Sequence, residues 1–424
     1  TNSINMVVSP ANGAVFNTDG ASIAFDLPSR GYLQPGSMYL RYKCAVTSSG
    51  AKPLMRGIPA YTPFVRSEVI VGSQIVESIQ QYNALVNILY NTKCDAATKA
   101  SLAYSLGLVD YSSNLSFENL QGRELAAVGG ETWDMAMALG NLLSNCEHLV
   151  PLKHMPGVRI QLTMDALQNM FTPRASGTAA SVTKIELTNL ELCFTVIEFD
   201  AATDGVVASM ADANGNIMIK SQSYSTQSQT IPAGTSGTQE LVYNTRLSSI
   251  KSVLCWAAGN NLAANNTTTG VNAQRNGPYD AVDITGGEGE YSWTIAGEQY
   301  PPRPLSVVRN KAGIYQELSD CWSGSAHDLY GAKLQINPDE FQVGENTETG
   351  SGLFSGKFYV GMNTERMSDN QALLTGVSSQ LSPVTYRIAL GSTATESAHL
   401  ITFIALHDAI LNVNIMTKQT TVKV

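Results

Sequence analysis

The chain has 424 residues, 43% hydrophobic and only 14% charged, with a formal net charge of −9. That length suits two or three domains and excludes a single small module or a disordered tail protein. The 26 Lys and Arg residues are spread without a basic run, so direct packaging of nucleic acid is not expected. Soluble domains carry about a quarter charged residues. Here Ser, Thr, Asn, Gln and Gly must supply the polar surface, which suits it to lying against neighbours.

The dominant signal along the chain is alternation with period two, the mark of half-buried strands. Ile23, Phe25 and Leu27 share one face, then Leu40, Tyr42, Cys44 and Val46. Ile75, Ile79, Tyr82, Val86 and Leu89 fall at helical spacing and predict an amphipathic helix over 74–92 that covers a sandwich edge. A second helix is expected over 96–106, capped by Asp95 or Thr98 and ended by Gly107. A third is expected near 133–146. Val158, Ile160, Leu162 and Met164 form a clean strand pattern. In 185–199 the apolar phase shifts near Thr188-Asn189, which predicts a bulge or bend.

Residues 200–216 are turn-rich and form the candidate boundary, giving one domain over 1–205 and another over 206–424. Strands resume at 217–220 and 250–257, then at Tyr291, Trp293 and Ile295. A helix is expected near 306–320. Further strands follow at Phe358, Val360 and Met362, at Tyr386, Ile388 and Leu390, and over about 399–415. Long polar loops separate them at 260–277, 286–289 and 342–356.

An order repeats. Strand 39–46, the 74–106 helical insertion, strand 158–164 and the closing strand 185–199 correspond to 250–257, 306–320, 358–362 and 400–415. The pattern predicts a mainly β chain of two tandem antiparallel eight-stranded sandwiches with a few inserted helices.

Cys44, Cys94, Cys146, Cys193, Cys255 and Cys321 form no CxxC pair. They read as reduced thiols in or near the core, which points to assembly inside a cell. No apolar run approaches the ~18–20 residues of a membrane span, and no signal peptide is visible.

Candidate chemistry is sparse. Glu147, His148 and His154 lack the converging ligands that a metal needs. His407 and Asp408 are adjacent in a strand and point to opposite faces. Gly234-Thr235-Ser236-Gly237 departs from a nucleophile elbow. Asp212–Asn216 opens like a calcium loop, but its twelfth position, Ser223, lacks the required Glu, so the Asn-Gly pair reads as a tight turn. Gly286–Glu290 precedes a strand rather than the helix of a phosphate loop. Glycosylation sequons occur at Asn114, Asn265 and Asn266. No catalytic, cofactor-binding or metal-ligating residue is assigned. The candidate intersubunit contact is Tyr300, Pro301, Pro302, Arg303 and Pro304, a pre-ordered proline segment whose Arg303 can pair with a neighbour's carboxylate. The alternative is a rigid connection into the following helix.

Several segments carry a likeness. They are Leu33–Tyr42, Leu149–Ile160 leading into Leu190–Phe194, Ser221–Tyr224 and Tyr300–Leu305. Over nearly the whole chain the sequence resembles the double jelly-roll major capsid proteins of the adenovirus and tailless-phage lineage, most like those of Polinton-like viruses and virophages. The resemblance implies two jelly rolls side by side, a homotrimer of pseudo-hexagonal outline, and capsomers tiling an icosahedral shell. The partners implied are other copies of the chain and minor capsid or penton proteins, with no direct nucleic acid contact. It also implies a place in the virion and no enzymatic role. The rival readings are a β-sandwich carbohydrate-active enzyme, which needs paired carboxylates in an aromatic cleft, and a minor capsid or spike protein.

Overall fold

The computed structural model describes residues 2–49, 54–55, 57–108, 132–172, 181–259, 281, 283–285, 287–323, 336, 341, 357–365, 374–391, 395 and 398–424. The loops expected at 260–277 and 342–356 and the sequons fall outside the described residues.

The first part of the chain runs β1 (Asn2–Val8), β2 (Val15–Phe16), β3 (Ser22–Leu27), β4 (Tyr32–Leu33), β5 (Tyr39–Ser49), β6 (Leu54–Met55), β7 (Phe64–Val71) and β8 (Gln74–Gln80). Helices α1 (Tyr82–Lys93) and α2 (Ala96–Leu106) follow, then β9 (Thr132–Ala138), β10 (Val158–Met164), the single turn α3 (Leu167–Met170), β11 (Phe171–Thr172) and β12 (Ser181–Glu198). After α4 (Ala201–Ser209) come β13 (Asn216–Ile231), β14 (Thr238–Tyr243), β15 (Ile250–Gly259), β16 (Glu290–Ile295) and β17 (Glu298–Ser306). The chain ends with α5 (Val307–Ser323), β18 (Val360–Asn363), β19 (Val384–Ala389), β20 (His399–Asn414) and β21 (Thr420–Lys423).

The strands form two sandwiches of one design. The first pairs a sheet of order β1-β12-β5-β9, to which β2 and β4 add on β12, with a sheet of order β3-β10-β7-β8. The second pairs β13-β20-β15-β18, with β21 added on β20, and β14-β19-β16-β17. Eight principal strands can be counted in each half: β1, β3, β5, β7, β8, β9, β10 and β12, then β13 to β20. Both halves then give one sheet of first, eighth, third and sixth strands and another of second, seventh, fourth and fifth. Two Greek keys wound in this way make a jelly roll. Every ladder is antiparallel, and none joins a strand before α4 to one after it among the described residues.

Sequence pattern explains the layers. β10 alternates buried and partly exposed residues, as a strand with one face on the core must. The middle of β20 is buried on both faces. Tyr42 on β5 meets Phe64 on β7 edge-on across the first sandwich, and Tyr243 on β14 stacks on Phe403 of β20 at 4.5 Å across the second. Phe25, Phe64, Phe194, Trp293, Tyr386 and Phe403 are fully buried. Each contributes about 1.5–3 kcal/mol from removing its side chain from water.

Several local expectations hold. Asp95 accepts the Thr98 amide at 2.7 Å, and Gly107 ends α2 in the left-handed region at φ 74, where a Cβ would be strained. The predicted bulge in β12 appears as a register shift between Thr188 and Glu191, with Asn189 at φ 50. All six cysteines are free.

Other expectations are corrected. Residues 74–80 are strand, not helix. β8 buries Glu77 and Ile79 while Ile75 is 59% exposed, and left-handed Gln81 then opens α1. The acidic residue at an inward position hid the alternation. The helix expected at 133–146 is β9 followed by a turn, with Met135 and Met137 inward. Its Ala and Met content favours helix, but tertiary packing follows the period of two. The 306–320 helix exists as α5, broken at Asn310 (φ −162, ψ 82). The 200–216 stretch contains α4 as well as turns. Finally, 158–164 corresponds not to 358–362 but to β19. The true counterpart of β18 is β9, which the helical reading had concealed.

Both helical insertions lie between the fifth and sixth principal strands. α1 packs on β7 and α2 on β9, while α5 packs on β18, β17 and β15. In the second half, α5 therefore packs on the outermost strand of each sheet.

Candidate assembly site

The halves meet where β8, the fifth strand of the first half, lies against β13, the first strand of the second. The contact is made by side chains. β13 reads Lys220-Ser221-Gln222-Ser223-Tyr224-Ser225-Thr226, polar on both faces and thus suited to lie between two bodies. Glu77 on β8 is at its centre. Its carboxylate accepts the Ser223 hydroxyl from across the seam and the Leu142 amide at 2.8 Å. Burial pushes the Glu77 carboxyl up to about 7, against the opposing pull of those two donors. The Ser221 hydroxyl donates to the Leu142 carbonyl at 2.6 Å and Thr226 to the Gln80 carbonyl at 2.5 Å. Asn145 donates to the Gln222 carbonyl at 3.0 Å, and the Glu147 amide to the Lys220 carbonyl at 3.0 Å.

The connector is tied separately. Asp204 in α4 accepts from the Tyr32 hydroxyl at 2.7 Å and pairs with Lys153, which lies 5.1 Å over the Tyr32 ring. The Lys153 ammonium, then the Tyr32 hydroxyl, hold the Asp204 carboxyl below its usual range.

Tyr300–Pro304 lies in β17, an edge strand rather than a free polyproline connection. Trp293 faces Tyr300 and Tyr291 faces Leu305, so Ser292 alone stands opposite Pro301–Pro304. Those four residues arch out of the ladder as a bulge, with Pro302 and Arg303 exposed. Three prolines remove backbone donors from the edge, which explains the bulge.

The remaining candidates are structural. Glu147 and His148 are exposed and His154 is half-buried; burial and the neighbouring Lys153 push the His154 imidazole down. Among the described residues no cluster of His, Cys, Asp and Glu is placed to hold a metal. The Asp212 carboxylate accepts the Asn214 and Asn216 amides, both at 2.8 Å, so this loop is a closed turn. Gly287 takes φ 82 in the turn before β16.

His407 is buried against the Asp408 carbonyl. Asp408 instead accepts from Ser249 at 2.6 Å and from the Thr375 amide at 2.9 Å. Lys251, at a register shift in β15, lies 3.2 Å from Glu365 and 3.9 Å from Asp408. This pair of carboxylates is buried and clamped, unlike the open pair of a glycosidase. Among the described residues, no helix is long and apolar enough to cross a membrane.

Sequence reasoning singled out Tyr300–Pro304 by its prolines without placing it in a strand, and it missed Glu77 as a seam residue. The signal present was a polar strand, β13, following an apolar one, β12.

Comparison of the sequence with protein-family models and with curated proteins finds no match. Solved structures do match in shape over nearly the full length. The Faustovirus major capsid protein is 9% identical with a TM-score of 0.63, covering 97% of this chain and 90% of that one. The chain has a double jelly-roll fold shared with viral major capsid proteins. A Sputnik virophage structure is 10% identical with a TM-score of 0.57, covering 100% of this chain and 88% of that one. The mavirus major capsid protein is 11% identical with a TM-score of 0.52, covering 99% and 90%. Identities this low carry the double jelly-roll fold and leave the polar seam and proline bulge to this chain's own residues.

Proposed function

We propose that the chain is the major capsid protein of an icosahedral virus, a non-enzymatic subunit that divides into domains 1–205 and 206–424. One observation carries the reading. Two jelly rolls of identical winding stand side by side in one chain, and capsid proteins share that arrangement from end to end. A duplicated fold lets three chains present six similar edges, which a hexagonal lattice needs. The weakly charged composition, 14%, suits the large contact areas of obligate assemblies.

In this reading the chain forms a homotrimer, the trimers tile a shell, and minor capsid or penton proteins fill the remaining positions. The place of action is the virion, after assembly inside the host cell. Tyr300–Pro304 is the proposed intersubunit contact, because its tip, Pro302 and Arg303, is exposed, its prolines pre-order it, and it lies at a sheet edge. Such a segment loses little entropy on docking. The net charge of −9 gives no support to direct nucleic acid binding.

Native mass spectrometry and negative-stain microscopy of the purified protein test this. A trimer that persists on dilution and has a hexagonal outline is expected. A stable folded monomer sinks the proposal.

A further inference from the structure

The joint inside one chain supplies a template for a joint between two chains. Within the chain, the fifth strand of the first half meets the first strand of the second. A closed ring of alternating halves needs a second joint of the same kind. That joint brings β17, the fifth strand of the second half, to β1, the first strand of the first half of another copy. β17 pairs with β16 and β1 with β12; neither strand has a second ladder partner among the described residues.

Two registers fix which residues correspond. The third strands begin at Tyr39 and Ile250, which face Cys193 and His407 on the eighth strands. Cys193 and His407 face Val7 on β1 and Ser223 on β13. Val7 therefore stands level with Ser223 along its edge strand, but on the outward face of β1, with Met6 and Val8 turned inward, whereas Ser223 shares the inward face of its sheet with Phe403. On the other side, the β7–β8 hairpin closes at Val71 and Gln74, and the β16–β17 hairpin at Ile295 and Glu298. Two residues before those closing positions, Val69 faces Glu77 and Trp293 faces Tyr300. The start of the Tyr300–Pro304 segment therefore holds the place of Glu77.

The chemistry changes at both places together. Inside the chain a buried carboxylate meets a hydroxyl. At the outer strands the half-buried Tyr300 leads into a bulge whose Pro302 and Arg303 are exposed, and the outward-facing Val7 is 50% exposed. Prolines offer no amide to extend a sheet, so such a joint works by apolar side-chain packing, and covering Val7 removes apolar surface from water.

Resting on the capsid reading above, we propose that Tyr300–Pro304 of one copy docks on the outer edge of β1 of a second copy, centred on Val7. The joint is the apolar counterpart of the Glu77–Ser223 seam.

Photo-crosslinking tests it on the full-length protein, with benzoylphenylalanine at position 303 in one series and at position 7 in another. Interchain adducts are read as dimer bands on denaturing gels and mapped by peptide mass spectrometry. Links from 303 to residues 2–8, and from 7 to residues 298–306, are expected. A trimer with adducts elsewhere, or with none from either position, overturns this docking and leaves the capsid reading standing. A stable monomer overturns both. Val7→Asp places an unpaired charge in the joint and is expected to raise the concentration at which trimers dissociate by roughly tenfold or more, with circular dichroism unchanged. Wild-type trimerisation of a folded Val7→Asp protein overturns the docking. Should Val7→Asp misfold, the milder Val7→Ser is expected to show the same loss to a smaller degree, and unchanged trimerisation of that variant overturns the docking as well.

Discussion

The Glu77 carboxylate and the Ser223 hydroxyl, 146 residues apart in sequence, form a hydrogen bond across a seam that no strand ladder bridges among the described residues. A carboxylate in that position is desolvated on every side. Its neighbours supply two donors, Ser223 and the Leu142 amide, and among the described residues no cation pairs with it. Tyr82 and Cys146 also face it, and burial holds both protonated through neutral pH by raising their pKa values. The seam therefore favours a protonated Glu77.

That preference gives a pH dependence of definite sign. The folded-state value of about 7 lies above the unfolded value of 4.5, so the folded chain binds the proton more tightly. The stabilisation is complete below about pH 4.5 and is lost as pH rises through about 7. The span corresponds to about 3 kcal/mol. Glu77→Gln is expected to remove this slope between pH 5 and pH 8, measured by denaturant unfolding of both proteins at each pH. His407, whose imidazole burial pushes down, loses stability on the acid side in both proteins, so the difference between them isolates Glu77. Equal slopes in the two proteins would falsify the assignment.

Much of this architecture is legible in sequence because strands with one buried face must alternate. β3, β5, β10, β16 and β19 announced themselves in that way, and the phase slip at Thr188-Asn189 located a bulge. Strands that break the rule were lost. β8 carries Glu77 at an inward position and β9 is rich in Ala and Met, so both read as helix and the equivalence of β9 with β18 disappeared. Tyr300–Pro304 stood out through its prolines. The seam did not, because its hydroxyls and its buried acid gain meaning only when two distant strands are side by side.

Ser223→Ala leaves the buried Glu77 one donor short. A loss of about 1–3 kcal/mol is expected, larger at pH 8 than at pH 5, because the hydroxyl helps the ionised form. In a double-mutant cycle with Glu77→Gln, the two losses should combine with a coupling of about 0.5 kcal/mol or more. Simple additivity in thermal or denaturant melts counts against a direct bond.

Lys251 stands between Glu365 and Asp408, with side-chain exposures of 16%, 13% and 0%. Lys251→Met strips the cation from two buried acids and is expected to cost about 3–5 kcal/mol. Adding Glu365→Gln removes one of the stranded charges and should recover part of that loss. The check is denaturant unfolding at pH 7, where no recovery in the double variant refutes the network.

The seam, rather than the connector, is expected to hold the two halves together. Helix α4 has no buried residue, and a nine-residue helix is marginal on its own. Among the described residues its Tyr32–Asp204 and Lys153–Asp204 contacts tie down its first turn. A protease site inserted between Ser209 and Met210 should therefore be cut without unfolding either sandwich, since each has its own aromatic core. Across the cut, Glu77–Ser223, Ser221–Leu142, Thr226–Gln80 and Asn145–Gln222 remain. The cleaved protein is expected to elute from size exclusion as one particle at pH 6. It should separate more readily at pH 8, where Glu77 ionises and the seam loses the stabilisation that its proton gave. Halves that part at once at pH 6 would show that the covalent connector had been holding them.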